Sequence, residues 1–338
     1  MFLIAGPCSA ESPQQLMETA RGLTGCGVSV FRAGLWKPRT HPGSFEGVGA
    51  EGLPWLVAVR EETGLPVMTE VAGAKHVEAC LKAGLDALWI GARTTTNPFL
   101  VQEIAEALAG VDIPVYVKNP VHPDAELWAG AVERLQRAGL RRIGLVLRGF
   151  TTPESGPYRN APLWPLAVGM RTRFPDLTLL VDPSHIAGDR SLLPEISQKA
   201  LDLGLDGIMV EVHAHPETAL SDAAQQLTPA GFRTLLDGLR ERAADTDAPD
   251  YREGIEALRA RIDTIDEQLL TLLASRMEIS REIGEYKREH GIAILQPGRW
   301  EALLERVIKE GKRRGLSEAF IRKVFEFVHE ESVRRQET

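Results

Sequence analysis

The stretch GIMVEV, residues 207–212, is the eighth short apolar run in the chain, and that count decides the fold. The seven before it are Phe2–Ala5, Val28–Phe31, Pro66–Val71, Ala87–Ile90, Pro114–Val117, Ile143–Leu147 and Leu177–Val181. Each is rich in Val, Ile and Leu, and most have Gly or Pro close by. Continuous rather than alternating hydrophobicity suits strands covered on both faces, as in a parallel sheet. Helical stretches separate the runs, among them Lys75–Ala83, Phe99–Ala109 and Ala125–Ala138. Eight strand-then-helix units in the first 240 or so residues are the count and size of an α/β (β/α)8 TIM barrel. A doubly wound open sheet is the competing architecture.

Near residue 241 the character changes. ERAADTDAPD, 241–250, is polar and contains Pro249. It reads as a linker over 243–251, dividing a barrel of 1–242 from a second domain of 252–338. No strand-like run follows it. From Ile255 the apolar positions fall at 255, 258, 262, 265, 269, 272, 279, 283 and 286, which is a heptad seam on one long helix. Amphipathic segments at about 299–312 and 317–335 supply two more helices. Three helices of this size carry too little core to stand alone, so the second domain is expected to be all-α and to dimerise, or to build a higher homo-oligomer.

Composition narrows the chemistry. The chain has 338 residues, 43% hydrophobic and 25% charged, which is an ordinary globular balance. A net charge of −8 argues against general nucleic-acid binding, so an anionic substrate must be held by local cations. Three cysteines make no disulfide framework, and no run reaches the length of a membrane span. No basic leader segment opens the chain, and a cytoplasmic location is expected.

In a TIM barrel the functional groups stand at the C-terminal ends of the strands. Cys8 follows the first run; Arg32 and Lys37-Pro38-Arg39-Thr40 follow the second. Glu70 lies near the end of the third, Arg93 after the fourth, Lys118 after the fifth and Arg148 after the sixth. His185 follows the seventh, within Asp182-Pro183-Ser184-His185, and the eighth ends at Glu211 with Asp222 in the next loop. A ring of cations at successive strand ends is what phosphates and a carboxylate require. Barrel closure makes the first strand a neighbour of the eighth. Cys8, His185, Glu211 and Asp222 can then converge, although they span most of the barrel sequence. Thiolate, imidazole and two carboxylates form a donor set for Mn²⁺, Fe²⁺, Co²⁺ or Zn²⁺.

The segments GPCSAES (6–12), FRAGLWKPRT (31–40), IGAR (90–93), VDPSH (181–185) and MVEVH with Asp222 nine residues on resemble the metal-dependent 3-deoxy-D-arabino-heptulosonate 7-phosphate (DAHP) synthases. The branch is the one that also resembles 3-deoxy-octulosonate 8-phosphate synthase. The resemblance covers residues 1–240 and implies condensation of phosphoenolpyruvate with erythrose 4-phosphate, the first step of the shikimate pathway. By position, it makes Cys8, His185, Glu211 and Asp222 ligands of a divalent metal, Mn²⁺ by preference. Arg93, Lys118 and Arg148 would hold phosphoenolpyruvate, with Arg32 and Lys37. Pro38, Arg39 and Thr40 complete a KPRT segment, and Arg39 and Thr40 would hold erythrose 4-phosphate. KPRT also favours this substrate, because octulosonate synthases typically carry an Asn-containing segment there. Glu70 and Lys118 are the candidates for moving the water proton.

The helical part carries its own constellation. Arg276 occupies the apolar ladder, and Arg259 and Lys287 share the neighbouring heptad position about 42 Å apart along one helix. An antiparallel dimer would bring a partner's Arg259 toward Arg276 and Lys287, with Arg299, Ser332 and Gln336 from the other helices. Such a cationic pocket with an amide suits a small dicarboxylate. The segments LRARID (258–263), IDEQLLTLLASRMEIS (265–280), IGEYK (283–287), Arg299 and ESVRRQ (331–336) resemble the all-helical chorismate mutases. The resemblance implies rearrangement of chorismate to prephenate, with arginines on the carboxylates and Lys287 and Gln336 at the ether oxygen. One departure stands at Gln296-Pro297-Gly298-Arg299-Trp300, where relatives often read Asp-x-x-Arg-Glu; Trp300 replaces the acidic residue. The expectation is a bifunctional enzyme. The chain opens at its first strand run, without the regulatory extension of many relatives, so chorismate or prephenate at the helical domain is expected to restrain the barrel. The alternative is an octulosonate synthase barrel with a non-catalytic, effector-sensing dimerisation domain.

Overall fold

The computed structural model describes residues 1–37, 43–153, 156–243, 248–295 and 297–337. The chain divides into two compact units, Met1–Ala244 and Asp245–Thr338. In the first, eight parallel strands close in chain order: β1 (Phe2–Gly6), β2 (Val30–Arg32), β3 (Val67–Val71), β4 (Ala87–Ile90), β5 (Val115–Lys118), β6 (Ile143–Leu147), β7 (Thr178–Val181) and β8 (Gly207–Glu211). Closure is between β1 and β8, with Gly6 opposite Glu211. The open-sheet alternative is thereby excluded. The segment GVGAEG, 47–52, has the GxGxxG spacing of a dinucleotide loop, but β2 ends at Arg32 and Gly49–Gly52 forms a 3₁₀ turn leading into the next helix.

The helices of this unit are α1 (Pro13–Leu23), α2 (Leu53–Thr63), α3 (Ala74–Ala83), α4 (Ala92–Thr95), α5 (Pro98–Ala107), α6 (Ala125–Arg137), α7 (Trp164–Arg173), α8 (Pro183–Ala187), α9 (Leu193–Asp202) and α10 (Pro229–Gly238). Their starts follow local rules. Ser12, Asn97, Asp124 and Thr228 each accept a backbone N–H of the first turn, and α1, α5 and α10 begin on Pro.

Strand alternation splits the core in two. Ile4, Val30, Met68, Ala87, Trp89, Tyr116, Val146, Leu180 and Met209 fill the barrel interior. Their neighbours, such as Leu3, Ala5, Leu88 and Ile90, pack outward under the helices. Two residues beyond each interior side chain, the same face reaches the C-terminal rim. Arg32 follows Val30, Glu70 follows Met68, Lys118 follows Tyr116 and Glu211 follows Met209, so period-two geometry delivers charges to one opening.

The second unit has α11 (Pro249–Glu289), α12 (Pro297–Arg313) and α13 (Glu318–Glu337). Helix α11 starts at Pro249, inside the stretch 243–251 read as linker, because Pro is well placed at a helix start. α13 packs on both α11 and α12. Among the described residues Ile321 is the one fully buried apolar side chain of this unit. The seam residues Leu258, Ile262, Ile265, Leu269, Leu272, Ile279, Ile283 and Tyr286 are exposed.

Candidate active site

Gly6, with φ +146°, ends β1 where a Cβ would run into the backbone of Arg32. Only glycine lets the end of β1 lie this close to β2, and Pro7 then turns Cys8 onto the rim. Cys8 is fully buried. Its Sγ lies 3.2 Å from Asp222 Oδ2 and accepts a bond from Lys37 Nζ at 2.9 Å. Burial, seconded by the Glu211 charge, pushes the thiol up to about 12 against the opposing pull of Lys37. Asp222 takes a left-handed backbone, φ +48°, which Asp tolerates better than most residues. Burial alone would raise its carboxyl, but His185 and Arg159 outweigh it and hold the group well below the usual range.

One ligand atom each from Cys8, Glu211 and Asp222 lies within 4.8 Å of the others, a spacing that one ion can bridge. His185 stands beside this cluster, its Nε2 3.7 Å from Glu211 Oε1 and its Nδ1 2.8 Å from Asp182 Oδ2. A carboxylate behind the imidazole fixes which nitrogen faces inward. Glu211 is fully buried, and its Oε1 has no hydrogen-bond partner. The nearest charge to that oxygen is the Arg32 guanidinium at 3.3 Å, and with the Asp222 carboxylate and the Cys8 sulfur beside it the cluster gathers more anionic donors than one arginine offsets, a crowding that a divalent cation relieves. The donor set therefore fits a divalent ion.

Next to this cluster is a cavity of about 430 Å³. Its lining includes Arg93, Lys118, Arg148 and Arg159 against the single carboxylate of Glu70, with His185 at one side. Arg32, the last residue of β2, is 1% exposed. Its guanidinium stacks 4.7 Å over Trp89 and pairs with Glu211 at 3.3 Å, while Nε and Nη1 are buried without hydrogen-bond partners. Lys118 Nζ donates to Asp182 Oδ2 at 2.7 Å; burial lowers its affinity for the proton, partly offset by Asp182. Burial likewise brings Arg148 down to about 10. Glu70 accepts from Trp89 Nε1 at 3.0 Å. So many cations in a recessed site favour an anion carrying several negative oxygens.

The sequence reading brought Cys8, Arg32, Lys37, Glu70, Arg93, Lys118, Arg148, His185, Glu211 and Asp222 to this rim, and all of them stand at this end of the barrel. Pro38, Arg39 and Thr40 lie outside the described residues. Four contributors were missed. Asp182 was legible, being two residues past the interior Leu180; it anchors both Lys118 and His185. Arg159, Asn160 and Gln225 come from loops, where no period marks them. Arg159 Nη1 donates to Asp222 Oδ1 at 3.0 Å and Gln225 Oε1 at 2.9 Å, and Gln225 Nε2 donates to Glu211 Oε2 at 2.6 Å.

In the helical unit, Arg276 Nη1 donates to Ser332 Oγ. Lys287 Nζ donates to Gln336 Oε1 at 3.1 Å and to Ile294 O at 2.6 Å. The close approach of α11 and α13 depends on Gly284, where a Cβ would meet the backbone of Gln336. Arg276, Lys287, Ser332 and Gln336 thus share one face. Arg259 does not join them in the same chain: it is exposed near the other end of α11 and pairs with Glu256 at 2.7 Å. Arg299 is exposed on α12, and Gln296 lies outside the described residues. Trp300 stacks on His329, ring centres 4.2 Å apart.

A closed parallel barrel with a thiol–carboxylate cluster that fits a divalent ion, beside a cationic cavity, is the frame of an enzyme that handles anions, and the same chain carries a helical module. Residues 1–247 match the family model for the DAHP synthetase I family, and residues 258–337 match that for chorismate mutase type II. A phospho-2-dehydro-3-deoxyheptonate aldolase of Thermotoga maritima is 36% identical over 241 residues, 71% of this chain and 69% of that one. A 2-dehydro-3-deoxyphosphooctonate aldolase of Polaromonas naphthalenivorans is 29% identical over 277 residues, 75% of this chain and 93% of that one. The crystal structure of the Thermotoga maritima DAHP synthase aligns with TM-score 0.63 at 36% identity, covering 70% of this chain and 67% of that chain. The chain belongs to the DAHP synthetase I family and carries a chorismate mutase type II domain at its C-terminus.

Proposed function

We propose that the barrel condenses phosphoenolpyruvate with erythrose 4-phosphate to DAHP, and that the helical unit converts chorismate to prephenate. The observation that carries the first reading is the cationic cavity abutting the Cys8–Glu211–Asp222 cluster. Arg93, Lys118 and Arg148 bind the phosphate and carboxylate of phosphoenolpyruvate, and the unpartnered Nε and Nη1 of Arg32 complete the cradle. Lys37 assists there, and Arg39 and Thr40 of the KPRT segment receive the aldehyde substrate. C3 of the enol then attacks the aldehyde carbon, the aldehyde oxygen takes a proton, water adds at C2 and inorganic phosphate leaves. Cys8, His185, Glu211 and Asp222 would hold a divalent metal, preferably Mn²⁺, and the chemistry it would supply when bound is that of a Lewis acid toward the aldehyde. Glu70 and Lys118, which both line the cavity, are the candidates for moving the water proton. Holding two anions side by side is the main task, and the cations perform it by charge neutralisation and alignment.

In the helical unit Arg276, with Arg299 and a partner's Arg259, grips the two carboxylates, and Ser332 orients Arg276. Lys287 and Gln336 stabilise the ether oxygen as it gains charge. The exposed seam of α11 is the dimer face, since the one buried apolar side chain among the described residues is too small a core for three helices. Arg276→Ala is expected to lower mutase kcat/KM by about 10²–10³-fold, as loss of a charge-stabilising donor does, with barrel activity unchanged. Steady-state assays of both activities on one preparation check it.

The deciding experiment supplies purified protein with phosphoenolpyruvate and either erythrose 4-phosphate or arabinose 5-phosphate. Faster turnover of the five-carbon sugar would replace this reading with the octulosonate one. Adding prephenate to the same assay tests restraint of the barrel by the helical unit; an unchanged rate removes that part.

A further inference from the structure

We infer that Asn160 links the two halves of the barrel site, so that binding of a phosphorylated acid in the cationic cavity and binding of a divalent metal at the Cys8 cluster depend on each other. The inference rests on the barrel function proposed above. Asn160 is 4% exposed, on the loop after β6. Its amide bridges Arg148 Nη1, 3.0 Å from Oδ1, and the carbonyl of His185, 2.7 Å from Nδ2. The orientation of the amide follows from its partners: a guanidinium only donates and a carbonyl only accepts.

The loop that carries Asn160 is held at both ends. Phe150 and Ala161 exchange two backbone hydrogen bonds of 2.8 Å, doubling the chain back onto the end of β6. Gly149, φ +83°, makes the fold-back possible, because a Cβ there would lie 2.7 Å from Asn160 O. On the other side, Arg159 N donates to Ala187 O and Asn160 N to Ile186 O, tying the loop to α8 and hence to His185. A planar amide inside this clamp cannot serve Arg148 and His185 independently. When an anion draws the Arg148 guanidinium, the displacement is transmitted to the turn that presents the imidazole. Arg159 reaches Asp222 from the same loop, but that side chain is half-exposed and its ion pair is screened. The buried bridge is therefore the stronger connection.

Simple attraction between a bound anion and a cation persists without Asn160, so the Asn160 contribution is a difference between variants. The test titrates the full-length protein with Mn²⁺ by calorimetry, with and without saturating phosphoenolpyruvate. Wild-type protein is expected to bind Mn²⁺ about tenfold more tightly when phosphoenolpyruvate is present, within the usual range of such couplings. Asn160→Ala is expected to reduce that factor to about threefold or less, although Arg148 and all four metal-binding side chains remain. Asn160→Asp keeps the volume and the acceptor but loses the donor to His185, and is expected to show the same reduction; it carries the test should the alanine variant fail to fold. Equal factors in wild type and variants overturn the linkage. Failure of wild-type protein to bind either Mn²⁺ or phosphoenolpyruvate overturns the functional reading itself, which is a distinguishable result.

Discussion

Cys8→Ala is expected to abolish synthase activity, by about 10³-fold or more, while the mutase rate stays within about twofold of wild type. The thiol is the soft donor among hard ones, and its removal leaves Glu211 and Asp222 as two neighbouring carboxylates without the sulfur that completes their cluster. Bound metal, measured by elemental analysis after dialysis, is expected to fall from about one per chain to a small fraction. A different outcome separates the roles cleanly. Were Cys8 only a small buried hydrophobe, alanine would cost about 1 kcal/mol of stability and leave metal and activity in place. Lys37 gives a second check, because its Nζ donates to Cys8 Sγ at 2.9 Å. That bond favours the thiolate, so Lys37→Met should weaken metal binding by less than the loss of Cys8 itself. Chelation of the wild-type protein should reproduce the selective loss of synthase activity.

The fold was readable because its signal is local. Eight apolar runs identify eight strands, and period-two alternation from the interior residues carries Arg32, Glu70, Lys118 and Glu211 to the rim. The heptad seam of α11 was readable for the same reason, although the helix starts at Pro249, earlier than the seam. Strand edges were less exact: Val28 belongs to an apolar run but β2 begins at Val30, since hydrophobicity reports burial and the ladder begins only where backbones pair. Arg159, Asn160 and Gln225 could not be found, because a loop residue's partners are set by chain closure and not by any repeat. Convergence of Cys8, Glu211 and Asp222 lies between these cases. Nothing in their spacing suggests a cluster; the β1–β8 pairing creates it. No repeat in the sequence pairs Arg276 with Ser332, which lie on different helices; the packing of α13 on α11 brings them into hydrogen-bond contact.

Lys118→Met is expected to remove phosphoenolpyruvate-dependent activity and to destabilise the barrel by about 3–5 kcal/mol, the usual result of stranding one member of a buried ion pair. Lys118 is 4% exposed and Asp182 fully buried, 2.7 Å apart. Asp182 keeps two contacts in the variant, His185 Nδ1 at 2.8 Å from Oδ2 and the His185 backbone N–H at 3.0 Å from Oδ1, but its carboxylate loses the lysine that is its cationic partner. Denaturant unfolding of the barrel transition measures the loss. The double variant Lys118→Met/Asp182→Asn, which removes both charges at nearly constant volume, is expected to regain most of the stability and none of the activity. That separation matters, because catalysis and stability draw on the same lysine for different reasons. Stability needs a countercharge for Asp182, which the amide makes unnecessary; anion binding needs the ammonium itself, which no change at Asp182 can restore. Recovery of activity in the double variant would show that Lys118 acts only as a buried counterion, and would move the phosphate-binding role onto Arg93 and Arg148.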